Sequence, residues 1–548
     1  MKIVICGGGT SGWLSALFLT YLSPNNEYIL IESSSIGTIG VGEGSTGLLR
    51  DVIKGTIHDF GLKEHDFFLN TDAVPKLGIQ FNNWGSKSYI SPIDGSPTAE
   101  FEIDYSSLVA ISRGDGPEFS SRQGIRAIAG HIPYTNLNEL WNNNLGGAYH
   151  FDGVKLGNYL KDHVMETRDN IKVIDSEIES IESESNIVSE IKLSNSEIIS
   201  DVDLVVDCLG LDSIFNKTID KGWVDYSKHL PVDSAIVFRK RNENISETRA
   251  LTDAIAMKNG WMFKIPVANR YGCGYIYSSK FCSEDEARKE LEDEGYDITE
   301  SRKLSFKSGR LKEIWKGNVV AMGLSSGFLE PLQATSLHTT ISHLTHLSKT
   351  VIACDPKGLT AQASGYNTFA NQHFDSFVDF INLHYQCDRK DTDFWRYMTT
   401  KSRTKKVQEI IDICKGRLPF RKDHASFDGA ATDDDGSCEY LSGCTDSTAT
   451  NYDPVATVDD TSCVYVCTYY SANASVVSEP LCLGQSNGQL TVAVDSSHGS
   501  DTYLWSTGQT TDTIGGLAIG TYYVTVTDGV HGCTSTDTIV LNEPDSIT

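Results

Sequence analysis

Residues 1–32 read as a strand, a glycine turn, a helix and a second strand, an order that leaves few folds open. The apolar run closes at Cys6, and Gly7, Gly9 and Gly12 follow in G-x-G-x-x-G spacing, with Thr10 and Ser11 inside the turn. Residues 13–21 continue as a helix and residues 27–32 as the next parallel strand. Glu32 lies 20 residues beyond Gly12, where a carboxylate accepts hydrogen bonds from a ribose. Glycines let such a turn approach a pyrophosphate, whose charge is then held by amides at the helix start. A tight turn without ligand is the competing reading. The strand context and the acid favour a dinucleotide without saying which one.

A chain of 548 residues exceeds one typical core, so two or more folded units are expected. The formal net charge of -27 argues against nucleic acid and anionic membrane as partners. No Lys or Arg follows Lys422, whereas Asp and Glu continue to Asp545. This shift divides the chain into a body of residues 1–422, an acidic Cys-containing region of residues 423–470 and a β-rich module of residues 478–548. Cys6, Cys208, Cys273, Cys282, Cys354, Cys387 and Cys414 lack ligand spacing and read as core thiols. Cys438, Cys444, Cys463, Cys467, Cys482 and Cys533 form an even set in an acidic region and read as a disulfide framework. Met1 opens a folded strand with no basic and apolar export segment before it, and no run of 18 apolar residues suggests a membrane span. A cytoplasmic body is expected, with secretion or surface association left open by the tail.

A second glycine-rich turn runs through Gly37, Gly40, Val41, Gly42, Glu43 and Gly44. It lets backbone pass close to something flat or phosphorylated, with Glu43 available for polar contact and Ser45 as a cap for the next helix. The phrase V-P-K-L-G-I-Q-F-N-N-W at residues 74–84 alternates as a strand and carries Lys76. An exposed lysine would be unremarkable; in a closed cleft, desolvation makes its amine a more available nucleophile or proton donor. Residues 88–143 lack a clear period and suit a substrate-side insertion. Residues 171–178, 187–199 and 203–206 read as strands, the last delivering D-C-L-G at residues 207–210 to a cofactor edge. His150, beside a Tyr and a Phe, reads as a structural histidine. Residues 230–279 alternate as an antiparallel sheet that roofs a cavity. The phrase G-L-S-S-G-F-L-E-P-L-Q-A-T-S at residues 323–336 turns through Glu330 and Pro331 into a helix near Thr335, whose first amides suit an anion. Helices then dominate to about residue 418.

Joined in this order, G-G-G-T-S-G-W at Gly7, G-V-G-E-G-S at Gly40, P-K-L-G-I-Q-F-N-N-W at Pro75, A-Y-H-F-D at Ala148, D-C-L-G at Asp207, W-M-F-K-I-P at Trp261 and G-F-L-E-P-L-Q-A-T-S at Gly327 resemble the flavin-dependent tryptophan halogenase family over residues 1–418. The resemblance implies an α/β fold with a Rossmann-like FAD domain of the flavin monooxygenase type (residues 1–50, 148–215 and 315–345). It adds an antiparallel substrate region (residues 75–147 and 230–280) and a helical part (residues 335–418). It implies reduced FAD from a separate flavin reductase, oxygen and halide as co-substrates, and hypohalous acid carried through a tunnel to Lys76 and an electron-rich aromatic such as an indole or phenol. Thr335 and Ser336 fall on the halide-binding positions, and Leu324 and Leu337 on flavin contacts. The family's glutamate partner of the lysine is Gln333 here, and the second aromatic of W-x-W-x-I-P is Phe263. An amide accepts a hydrogen bond but is no general base at neutral pH. Two rival readings share these motifs: a flavin monooxygenase that never oxidises halide, and an impaired halogenase-like body on an adhesion or structural protein.

In the tail, residues 425–440 are answered by residues 449–465, phrases resembling repeats of secreted bacterial adhesins. Their clustered acids are of calcium-ligand type, although the offsets do not reproduce an EF-hand loop. Residues 478–548 read as short strands of a β-sandwich.

Overall fold

The computed structural model describes residues 1–37, 43–85, 88–93, 147–242, 249–353, 356–414, 442–443, 458–459, 470–480, 484–495, 501–529 and 534–542. Two compact units emerge, Met1–Gly436 and Ser437–Thr548. In the first, β1 (Lys2–Cys6) lies centrally in a six-stranded sheet. It pairs in parallel with β2 (Glu27–Glu32) on one side and Leu204–Asp207 on the other. Ile171–Asp175 and Val319–Ala321 extend the parallel set outward, and Trp315–Lys316 closes one edge antiparallel. Both faces are covered, which is why β1 and β2 read as continuous apolar runs. Helix α1 (Thr10–Leu22) is buried from Gly12 to Thr20 and joins the main core through Trp13, Leu14, Leu17 and Phe18.

A seven-stranded sheet stands apart from this layer. Its order is Arg302–Ser305, Ser234–Arg241, Arg270–Tyr277, Gly260–Val267, Leu251–Met257, Gly78–Asn82 and Tyr89–Pro92. Every pair in it is antiparallel except Gly78–Asn82 with Leu251–Met257. A smaller sheet links the layers: Ala148–Phe151 sits between Glu43–Gly44 and Val74–Lys76. The single strand expected over residues 74–84 is therefore two, divided at Leu77. The Leu77 N–H donates to the Ala250 carbonyl at 2.8 Å, carrying the chain from one sheet to the next. The Ile93 N–H returns to the Leu77 carbonyl at 2.9 Å, so residues 94–146, which include most of the expected insertion, depart and rejoin beside the same dipeptide.

The expected strand over residues 187–199 is also two, Ile187–Leu193 and Ile198–Ser200, joined by a turn in which Ser196 has φ of 71°. Thr335–Ala353 and Ala363–His384 are the long helices of the helical part, followed by Asp393–Thr400 and Lys405–Cys414. The second unit holds two three-stranded sheets, Ser471–Ser478 with Gly488–Asp495 and Thr513–Leu517, and Thr502–Trp505 with Gly520–Thr527 and Thr534–Leu541. Leu490, Val492, Trp505, Val524 and Val526 form its own core. Its strands begin before the residue 478 boundary, because Ser471–Ser478 is a member of the first sheet. Of the acidic repeat proposed for calcium only Val458–Asp459 are described, and all six tail cysteines lie outside the described residues. Among the described residues no helix is long and apolar enough to cross a membrane, and no cluster has the make-up of a metal centre.

Candidate active site

The first glycine turn is shaped by what it must avoid. Gly7 has φ of 119°, and a Cβ there would stand 2.5 Å from the Cys208 carbonyl oxygen. A Cβ on Gly12 would stand 1.8 Å from the Gly7 oxygen, so the helix start and the strand end touch through bare backbone. Gly9 is the exception, with nothing within 4 Å of its Cβ position. Open space thus lies directly at the α1 N-cap, where amides lack partners. That is the cradle a pyrophosphate requires. Glu32, at the end of β2, accepts from the Trp13 indole N–H at 3.3 Å and from the Lys161 ammonium at 2.5 Å. These contacts hold the carboxylate beside the turn. Thr10 donates to the Gly153 carbonyl at 3.3 Å, and a Cβ on Gly323 would lie 2.1 Å from the Ser11 Oγ. Thr10 therefore fastens the turn to the helix after Ala148–Phe151, and Ser11 lies closely against the Gly323 turn.

Of the second turn, Val41 and Gly42 lie outside the described residues, while Glu43 and Gly44 pair with Phe151 and His150. The Glu43 carboxyl is crowded against Gly153, and burial, aided by the Asp152 charge, pushes its pKa up to about 7. Ser45 does not cap the following helix. Its hydroxyl accepts from the Tyr149 N–H at 3.0 Å, and Thr46 takes the N-cap position of Gly47–Lys54, turning its own hydroxyl to His338 Nδ1 at 2.8 Å.

Lys76 is 2% exposed, and its ammonium donates to the Ser45 carbonyl at 2.9 Å. Among the described residues it forms no ion pair. Burial pushes its pKa down to about 7. The amine lies beside Gly44, whose Cβ would be 3.1 Å away, so the lysine and the second turn are immediate neighbours. His150 is fully buried and pairs through Nε2 with Thr252 Oγ1 at 2.7 Å. Burial and the Lys76 charge hold its pKa well below the usual value, so it stays a neutral structural imidazole.

The other wall is the turn Pro331–Gln333 and the helix it feeds. Ala334 has φ of 57°, a left-handed conformation that costs an alanine about 1 kcal/mol and redirects the chain into Thr335–Ala353. Thr335 is 2% exposed with its Oγ1 lacking a partner, and Thr335 and Ser336 line a pocket with Gly323, Gly327, Leu329, Thr339 and Phe374. A buried unpaired hydroxyl at a helix start, facing a pocket, fits a small anion. Leu337 packs into the main core, while Leu324 remains exposed at the Gly323 turn. Gln333 meets His384, their Nε2 atoms 2.7 Å apart, and the structure records no contact of it with Lys76. Glu330 is fully buried, its Oε1 accepting from the Trp261 N–H at 3.2 Å and the Tyr385 hydroxyl at 2.5 Å, and burial pushes its pKa up to about 8. It holds the aromatic roof rather than acting as a free carboxylate.

His384 and Thr46 escaped the sequence reading. His384 sits in an apolar stretch that reads as core, and only the pairing with Gln333 reveals it; Thr46 had no signal beyond its adjacency to Ser45.

Known proteins share this sequence pattern and fold. The chain is 30% identical over 455 residues to tryptophan 7-halogenase RebH of Lentzea aerocolonigenes, covering 76% of this chain and 82% of the relative. A flavin-dependent halogenase from Xanthomonas campestris superimposes with a TM-score of 0.67 at 27% identity, covering 78% of this chain and 88% of that one. BrvH, a flavin-dependent halogenase from Brevundimonas sp. BAL3, gives 0.67 at 26% identity, covering 78% and 89%. The tryptophan halogenase profile matches residues 2–436, which contain the open glycine cradle, the buried lysine and the Thr335 pocket alike. By that match, this chain belongs to the tryptophan halogenase family and is a flavin-dependent halogenase.

Proposed function

We propose that the body halogenates an electron-rich aromatic ring, with Lys76 as both the acid that activates hypohalous acid and the base that restores aromaticity. The observation that carries this reading is a buried lysine with no carboxylate partner among the described residues, its pKa near 7. Gly7, Gly9, Gly12 and Glu32, with Glu43 and Gly44 of the second turn, would hold FAD, and Thr335 and Ser336 the halide. When bound, reduced FAD from a separate flavin reductase would supply two of the four electrons that oxygen takes up, halide supplying the other two as it becomes hypohalous acid.

The Lys76 ammonium hydrogen-bonds the oxygen of hypohalous acid. As the ring carbon takes the halogen, the O–X bond breaks and the proton from Lys76 leaves with the oxygen as water. The neutral amine then accepts the proton displaced from the ring, which restores both the arene and the ammonium. Gln333 cannot perform that second transfer, and a group with pKa near 7 suits both directions. Burial also keeps water from discharging the oxidant before it meets the ring.

A reductase-coupled assay with chloride, bromide or iodide across indoles and phenols, read by product mass, tests the assignment. Lys76→Met is expected to bind FAD normally and to yield no halogenated product. Equal product from wild type and variant would overturn the role given to Lys76. Oxygenated products without halogen would favour the monooxygenase reading instead.

A further inference from the structure

His384 Nδ1 lies 2.8 Å from the Phe380 carbonyl oxygen, and a carbonyl only accepts, so Nδ1 carries the proton. The ring keeps some solvent contact, yet its packing against Phe81 and Phe380 holds it neutral at pH 7, with burial pushing its pKa down to about 4. In a neutral imidazole with Nδ1 protonated, Nε2 is an acceptor. The Gln333 group 2.7 Å from it must therefore be the NH₂ end of the amide. That fixes which way the amide faces. Its Oε1 is turned away from His384, and among the described residues nothing donates to it.

The position of this oxygen is informative. Gln333 stands two residues before Thr335 and at one end of a stack in which Tyr89 lies on Phe81 at 4.8 Å and Phe81 on His384 at 5.2 Å. Phe81 belongs to the strand that begins immediately after the Lys76–Leu77 crossing. A carboxylate at residue 333 would present two equivalent oxygens and a charge. The locked amide presents one neutral acceptor beside flat apolar surfaces.

We infer that His384 orients Gln333 so that its Oε1 accepts a hydrogen bond from the ring N–H or O–H of a neutral aromatic substrate, making Gln333 a specificity residue and His384 its positioning residue. The inference rests on the halogenase reading above and narrows it to indole-like, pyrrole-like and phenolic rings that retain their own donor. A methyl on that heteroatom removes the donor and leaves the ring electron-rich, so it isolates the contact. Losing one such hydrogen bond corresponds to about a tenfold preference.

The test pairs indole with 1-methylindole and phenol with anisole in the reductase-coupled assay on the full chain. Wild type is expected to favour the donor-bearing member of a pair by about tenfold in kcat/KM. Gln333→Leu should bring the ratio near one, and His384→Leu should reduce it while Gln333→Leu,His384→Leu falls no further. A ratio near one in wild type, or halogenation of neither pair, overturns the inference. Independently of turnover, imidazole ¹⁵N–¹H spectra should show His384 as the Nδ1–H tautomer at pH 7, and as imidazolium at pH 6 in Gln333→Glu, where the ring must donate to a carboxylate. An Nε2–H tautomer in wild type overturns it as well. A ratio near one together with inactive Lys76→Met defeats only this inference, whereas fully active Lys76→Met defeats the reading beneath it.

Discussion

Lys76 should make the protein less stable than it would be without it. Its pKa falls from the ordinary 10.5 to about 7 on folding, which corresponds to about 5 kcal/mol of unfavourable charge burial. The hydrogen bond to the Ser45 carbonyl offsets about 1–2 kcal/mol of what an uncharged side chain of similar volume would gain. Lys76→Met is therefore expected to be more stable by about 3 kcal/mol at pH 6.5. Between pH 7 and 10.5 the folded lysine is neutral while the unfolded one is charged, so the unfolded chain binds more protons and wild-type stability rises with pH. The penalty is full below about pH 7 and gone above about 10.5. The advantage of Lys76→Met should shrink across that window and reverse slightly at its top, where only the lost hydrogen bond remains. Urea unfolding followed by tryptophan fluorescence reports chiefly on Met1–Gly436, which holds seven of the eight tryptophans. Other titrating groups cancel in the difference between the two proteins. A gain of equal size at pH 6.5 and pH 10, or no gain at either, would refute the argument that burial alone perturbs this amine.

Gly9→Ala meets open space and should leave the melting temperature nearly unchanged while weakening FAD binding more than tenfold, whereas Gly12→Ala drives a methyl onto the Gly7 carbonyl and should lower the melting temperature itself. Unaltered FAD titration of Gly9→Ala would exclude the turn as the cradle. Glu330, with a folded pKa near 8, contributes stability that is full below about pH 4.5 and lost as pH rises through 8, so Glu330→Gln should gain on wild type by about 4 kcal/mol between pH 5 and 9. Parallel stability curves for the two would show that the carboxyl is already ionised.

The nucleotide half of the fold was legible because its signals are local. Gly7, Gly9 and Gly12 fall within six consecutive residues at the junction of β1 and α1, and β1 and β2, buried on both faces, are plain apolar runs. Lys76 was visible as a candidate, yet its environment was not, since burial comes from Ser45, Gly44 and His150, which are distant in sequence. The division at Leu77 was hidden because alternation continues unbroken when a chain leaves one sheet and enters another. The same limit applies at Ser45 and Thr46, two adjacent hydroxyls both suited to a helix cap, whose roles are decided by Tyr149 and His338. His384 escaped notice for a comparable reason. A histidine among Phe380, Ile381 and Leu383 has the pattern of a core residue until the partner at Gln333 is known.

The crossing at Leu77 has a bearing on how such a protein can change. Residues 94–146 are launched from Ile93, bonded to Leu77, and land at Gly147, whose Cβ position is 3.0 Å from the Lys76 carbonyl oxygen. Both ends are thus bolted to the lysine's own dipeptide, and Ala148–Phe151 simultaneously ties that dipeptide to Glu43–Gly44. This is a socket: the spacing of amine and cofactor turn is held by main-chain bonds among Glu43–Gly44, Val74–Lys76 and Ala148–Phe151, all of which lie outside residues 94–146. A change of length or composition between residues 93 and 147 therefore leaves these pairings of Lys76 with the second glycine turn in register.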